Sequence, residues 1–236
     1  MSTQHEHIVK SFDEELARLK GEILRMGSLA SEQLEQAVRA LATGDQALAE
    51  KVVANDERID ALELEVSTDA MRVLALRQPM ASDLRTVLAS LRIAAIIERI
   101  GDYASNIAKR AMSMSDPQPK SPVQGLVEMS EYAVEMLAEV FEAYERGDAA
   151  SAMKVRESDL ELDNRYNALF RELLTYMMED PRSITLCTHF LFIAKNIERI
   201  GDLATAVAEN VWFQVEGDIL GSHRPKADRT PYIAAD

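Results

Sequence analysis

Apolar residues recur along this chain at helical intervals. Ile8, Phe12, Leu19, Ile23, Met26, Ala30, Leu34 and Leu41 step by three, four or seven, which puts them on one stripe of a long helix. Gly44-Asp45 breaks the run and offers Asp45 as the N-cap of the next helix. That second helix carries Val52, Ile59, Leu62, Val66, Val73 and Leu76 on its apolar side, and Pro79 ends it. A third is predicted from near Ala81 to about Ser115, through Ile93, Ile97, Ile100, Ala104 and Ile107.

The same plan then returns. Gly147-Asp148 repeats Gly44-Asp45, Lys154-Val155 repeats Lys51-Val52, and Asp159 and Asp163 repeat Asp56 and Asp60. Ile197-Glu198-Arg199-Ile200-Gly201-Asp202 repeats Ile97-Glu98-Arg99-Ile100-Gly101-Asp102 letter for letter. The offset is 103 residues in the middle helix and 100 in the last, so a short length difference lies between them. Internal repeats fix architecture before any other feature. The prediction is an all-α fold: two tandem antiparallel three-helix bundles related by duplication, six helices in all. The first bundle is placed at 5–115 and the second at 123–216. Between them, Pro117, Pro119 and Pro122 read as a linker over 116–122, because prolines this dense do not sit inside a helix. The stretch 217–236, with Gly221, Pro225 and Pro231, reads as an irregular tail.

Composition agrees with helices. Apolar residues make up 47% of the 236 positions but aromatics only 6%, with 9 Gly and 7 Pro, too few for the turns of a β-sandwich. Met177, Met178 and Phe192 read as core filler. The net charge of −14 argues against nucleic acid and against anionic membrane surfaces, and favours cations and basic protein surfaces. Cys187 is alone, which excludes a disulfide framework and a thiolate metal site. Met1 to Lys10 is polar, and no run approaches the roughly 20 apolar residues of a membrane span. A cytoplasmic location is the default expectation.

The candidate chemistry lies in acidic pairs. Glu98 and Asp102 are four apart, so both carboxylates project from nearly the same line of a helix, and Asn106 extends that line by a turn. Asp56 and Asp60 share the spacing, as do Glu198 with Asp202 and Asp159 with Asp163. Like charges so placed destabilise a helix by a few tenths of a kcal/mol per pair. Two pairs brought together by neighbouring helices would cost more, and a cation between them would remove the cost. Carboxylate and amide oxygens are hard ligands, suited to iron, manganese, magnesium or calcium; zinc more usually recruits His or Cys. Acids at helical spacing most often form only a solvated face. Here, however, both copies place them beside the apolar stripe and keep a mid-helix glycine, Gly101 and Gly201. Such a glycine costs about 1 kcal/mol against alanine, which close approach of a neighbouring helix would explain.

Catalytic readings find little support. The Glu-x-x-His motif of ferritin-like di-iron sites is absent, since Gly101 and Gly201 stand three after the glutamates. His5, His7, His189 and His223 are scattered, and His189 sits in an apolar segment as a structural histidine. No Gly-rich phosphate loop or nucleophile–base pair is evident. The alternative retained is a carboxylate-metal hydrolase acting on phosphate esters, in which a bound metal generates hydroxide.

Ile97 to Asp102, followed by Ala104, Asn106, Ile107 and Ala108, resembles the signature of the PhoU family of phosphate-uptake regulators. Leu74 to Arg85 and Asn55 to Asp60 are similar to that family as well, and the likeness spans roughly residues 5–215. The resemblance implies paired three-helix bundles and a Glu/Asp-x-x-x-Asp metal motif in each. It implies a cytoplasmic regulator rather than an enzyme, many members being dimers. It also implies negative regulation of phosphate-starvation signalling, linking the ATPase subunit of the phosphate ABC transporter to a sensor histidine kinase. Carried over by position, the metal ligands would be Asp56, Asp60, Glu98, Asp102 and Asn106 in the first repeat. In the second they would be Asp159, Asp163, Glu198 and Asp202, with Ala206 in place of the asparagine. The second copy also lacks a counterpart to Arg77-Gln78-Pro79.

Overall fold

Capping sets where the helices begin and end. In the computed structural model, which describes residues 2–114 and 119–220 and side chains from residue 12 onward, α1 spans Ser2–Thr43. Gly44 turns the chain at φ 68°, and Asp45 then accepts a hydrogen bond from the Leu48 amide at 2.9 Å to open α2, Gln46–Arg77. The second copy repeats the device. Gly147, at φ 64°, ends α4 (Lys120–Arg146), and Asp148 accepts from the Ser151 amide at 3.0 Å to start α5, Ala149–Glu179. The last helices of the two halves are α3, Ala81–Met112, and α6, Ile184–Glu216. Among the described residues there is no strand, and no helix is long and apolar enough to cross a membrane.

The three-residue length difference falls between the middle and last helices. In the first half a bend at Gln78, Pro79 and Met80 joins α2 to α3; in the second, Asp180 and a short 3₁₀ turn, Pro181–Ser183, join α5 to α6.

Three expectations need correction. The linker is shorter than 116–122, because α4 begins at Lys120 and holds Pro122 buried in its first turn. A first-turn residue has no helical acceptor for its N–H, so proline costs nothing there. Helix α3 stops at Met112 rather than Ser115. Leu76, Met178 and Phe192 are exposed rather than core; Phe192 instead lies under the Arg110 guanidinium, 4.1 Å from its ring centroid. Ile8, Asp116 to Gln118 and the tail from Gly221 lie outside the described side chains, as do His5, His7 and His223.

The rest of the stripe is buried as expected, from Leu19 through Leu41, Val52 through Val73, and Ile93 through Ile107. The repeat keeps its register at the core, though residue types change. Leu19, Ile23, Met26, Ala30, Leu34, Ala37, Val38, Ala40 and Leu41 in α1 recur 103 residues later as Pro122, Leu126, Met129, Ala133, Leu137, Val140, Phe141, Ala143 and Tyr144, with Ala37 matched to Val140 and Val38 to Phe141.

The two halves are not beads on a string. Helix α1 runs antiparallel to α4, with the Lys20 ammonium donating to the Glu145 carbonyl and Gly27 facing the Phe141 ring. Helix α3 runs antiparallel to α6: Arg92 covers Phe213 near one end and Arg110 covers Phe192 near the other. Between them, the Ser90 and Tyr144 hydroxyls share a buried hydrogen bond of 3.2 Å across the interface. One continuous apolar cluster runs through both halves, leaving α2 and α5 as outer helices. Those outer helices carry the aspartates, and the helices they cover carry the glutamates.

Candidate metal centre

At Gly101, α2 packs closely against α3. A Cβ at that position would meet Ile59 Cδ1 at 3.0 Å, and Asp56 Oδ1 and Gln33 Oε1 at 3.4 Å each. The missing side chain therefore lets an aspartate from α2 and an amide from α1 lie against the backbone of α3. Gly201 plays the same part in the second half, where a Cβ would meet Asp159 Oδ1 at 3.1 Å and would crowd Leu162. The two glycines are thus explained by close helix approach, and each approach delivers a carboxylate beside the Glu-x-x-x-Asp motif.

In the first half the acids gather at a half-open surface. Asp56 and Glu98 are partly buried, whereas Asp60, Asp102 and Asn106 are exposed. Burial pushes the Glu98 carboxyl above the ordinary range, and the negative charges of Asp102, Asp60, Glu63 and Asp56 push it further. Burial is also the main cause of the raised Asp56 carboxyl, with Asp102 and Asp60 adding to it. The Ser105 hydroxyl lies near enough to Asp56 to favour its charged form, without reaching complete hydrogen-bond geometry. The acids of the two helices therefore feel one another's charge. Beside them the Gln33 carbonyl oxygen, on a residue only 4% exposed, has no hydrogen-bond donor. A buried amide oxygen without a donor costs about 1–3 kcal/mol, and a hard cation is one group that would satisfy it. The donor set fits such an ion: carboxylates, an amide and no sulfur or imidazole.

In the second half the equivalent acids are interior. Asp159, Asp163 and Glu198 are 2%, 1% and 2% exposed, and Asp202 is half-buried. Lys195, one turn before Glu198 on α6, places its ammonium 2.9 Å from Glu198 Oε1 and 5.1 Å from the centroid of the Tyr166 ring. Asp56 and Asp159 thus lie where α2 meets α3 and where α5 meets α6, whereas Asp60, Asp102 and Asn106 are exposed. As the side chains stand, no three Asp, Glu, His or Cys among the described residues converge closely enough to enclose an ion.

Sequence reasoning missed four participants: Gln33, Glu63, Tyr166 and Lys195. Glu63 was legible, since it extends the Asp56, Asp60 line by one further step of three. Gln33 and Tyr166 come from helix faces whose other members are apolar, so the signal would have been a lone polar residue on an apolar stripe. Arg99 and Arg199 are exposed; Arg199 lies 5.7 Å from the Tyr103 ring centroid, across the junction between halves.

Comparison with known proteins bears on what such a site serves. The family model described as "PhoU domain" matches twice, at residues 23–111 and 126–211. A phosphate-specific transport system accessory protein PhoU homolog of Xylella fastidiosa (strain 9a5c) is 51% identical over 230 residues, covering 98% of this chain and 97% of the relative. The phosphate-specific transport system accessory protein PhoU of Escherichia coli (strain K12) is 33% identical over 213 residues, 90% of this chain and 88% of the relative. The crystal structure of PhoU from Pseudomonas aeruginosa superposes with a TM-score of 0.81 at 36% identity, covering 88% of this chain and all of that one. That of the phosphate transport system regulatory protein PhoU from Streptococcus pneumoniae gives 0.83 at 30% identity, covering 89% and 99%.

Proposed function

The chain belongs to the PhoU family, and on that premise we propose that it is an accessory regulator of phosphate uptake whose paired helices are set by a bound hard cation. It damps phosphate-starvation signalling when phosphate is plentiful. It does so by docking helical surfaces onto the ATPase subunit of the phosphate ABC transporter and onto a sensor histidine kinase. A cytoplasmic setting and a homodimeric state belong to the same reading.

The observation that carries the proposal is likeness over nearly the whole chain, both repeats included, to proteins named as accessory to phosphate-specific transport. The site supports a regulatory rather than a catalytic use. Its first-half acids lie half-buried to exposed along two neighbouring helices, where a bound ion can set the helix pair's geometry. Asp56, Asp60, Glu98 and Asp102, with the Gln33 amide beside Asp56 and Asn106 one turn beyond Asp102, would hold iron, manganese or magnesium, calcium and zinc being the other candidates. The ion would supply charge neutralisation and a fixed α2–α3 geometry. The protein's own part is to present the ligands along two helix lines and to hold Asp56 against Gly101.

Deletion of the gene, with a phosphate-starvation reporter read in high phosphate, tests the assignment. Constitutive reporter expression, restored to repression by the intact gene, is the expected result. Repression that survives the deletion would overturn it.

A further inference from the structure

The two acid clusters occupy equivalent places, yet their surroundings differ in a concerted way. Registering Asp56 on Asp159 and Glu98 on Glu198 pairs Glu63 with Tyr166, Ala95 with Lys195, Asn106 with Ala206 and Gln33 with Met136. The register is physical as well as sequential, because Asp56 and Ile59 lie over Gly101 just as Asp159 and Leu162 lie over Gly201. In each of these four exchanges the second half loses an oxygen ligand or gains a positive charge. Glu63 becomes an aromatic ring, the Gln33 and Asn106 amides become Met136 and Ala206, and the Ala95 methyl becomes an ammonium.

We propose that Lys195, steadied by the Tyr166 ring, is a built-in cation that takes the place of a bound metal in the second half, so that metal loading belongs to the first half alone. This rests on the metal reading given above. Buried carboxylates demand compensation, and the ammonium supplies one positive charge at 2.9 Å from Glu198 while the ring holds it by a cation–π contact at 5.1 Å. The lysine side chain is 30% exposed and that of Glu198 only 3%, so the stem threads from solvent and delivers the charge inward. A divalent ion entering there would have to displace the ammonium from Glu198 and then sit beside a like charge. It would find neither the Gln33 nor the Asn106 amide, although Asn167 stands in the second half where the first has Leu64. Among the described residues of the first half, no ammonium forms an ion pair with the clustered acids. Lys109, which reaches the field of Asp56, makes no ion pair among the described residues. The first cluster stays half-open, which suits a ligand that comes and goes. The second is interior and already holds an ammonium beside Glu198.

The test uses the full chain, stripped by chelator, retitrated with manganese and analysed for metal per chain. Glu198→Gln with Asp202→Asn should leave manganese content unchanged, while Glu98→Gln with Asp102→Asn should lose most of it. Lys195→Met should gain manganese, up to about twofold when both halves load alike, and should melt lower than wild type in chelator with recovery on adding manganese. Lys195→Arg should behave as wild type. Should Lys195→Met fail to fold, Ala95→Lys at an exposed position supplies the converse: it should lose first-half manganese. The proposal is overturned if the second-half pair loses as much metal as the first-half pair, if Lys195→Met gains none, or if Ala95→Lys loads as wild type. A wild-type chain that takes up no manganese would instead overturn the metal reading itself. Metal-free melting of Lys195→Met would then still decide whether the ammonium is the counter-charge.

Discussion

Replacing each mid-helix glycine by alanine separates two effects that the sequence cannot. Gly→Ala inside a helix gains about 1 kcal/mol of helix propensity. Against this stands overpacking, which costs about 1–3 kcal/mol when a methyl has no room. At Gly101 the new Cβ meets the far end of Ile59 at 3.0 Å and two oxygens at 3.4 Å. The flexible Ile59 terminus can yield by a few tenths of an ångström, so Gly101→Ala should be neutral or stabilising by up to about 1 kcal/mol. At Gly201 the Cβ would overlap Leu162, a residue with no exposed surface, and also press Asp159 Oδ1 at 3.1 Å. Leu162 and the buried aspartate must both move, so overpacking should win and leave Gly201→Ala destabilised by about 1–2 kcal/mol. For a chain of this size, 1 kcal/mol corresponds to about 2–4 °C in Tm. Thermal melts in chelator, followed by circular dichroism, should therefore show Gly201→Ala falling by about 2–8 °C and Gly101→Ala level or raised. If Gly201→Ala gains the full propensity increment, or if the two variants shift alike, the claim that these glycines exist for helix approach is refuted.

Other expectations follow from capping and charge. Asp45→Ala should cost about 1 kcal/mol, because it removes the acceptor for the Leu48 amide at the start of α2; Asp45→Asn, measured alongside by denaturant melts, should recover most of it. Arg77 grips Glu15 through two hydrogen bonds of 2.9 and 2.8 Å, tying the end of α2 to α1, and this holds the Glu15 carboxyl below the ordinary range. A depressed folded-state carboxyl contributes stability above its unfolded value and loses it as pH falls through the folded one. The stability difference between wild type and Glu15→Gln should therefore shrink on acidification below the usual carboxylate range, and a gap that widens there would contradict the pairing.

Much of the fold was legible because duplication doubled every signal. Gly44-Asp45 and Gly147-Asp148 marked two helix starts by the same chemistry, and both caps form. The apolar stripe of α1 could be checked against its copy in α4. Pro122 misled because proline density says nothing about position within a helix, and the first turn tolerates what the interior forbids. Leu76 misled because periodicity persists beyond the last residue that a neighbour covers. The antiparallel packing of the halves was not legible at all, since residues such as Arg110 and Phe192 meet only through topology. At the site, i to i+4 spacing placed the carboxylates on the right helix lines. It could not say that one cluster is half-open and the other interior, because burial is decided by what the facing helix brings. Nor could it separate Lys195 from any other surface lysine. Only its register opposite Tyr166 gives it meaning.

The most direct measurement is an anomalous difference map from crystals of the intact protein soaked in manganese. The strongest peak should lie between α2 and α3, bounded by Asp56, Asp60, Glu98 and Asp102, with those side chains turned toward it. A strongest peak among Asp159, Asp163, Glu198 and Asp202, or no peak between either helix pair, would contradict the account.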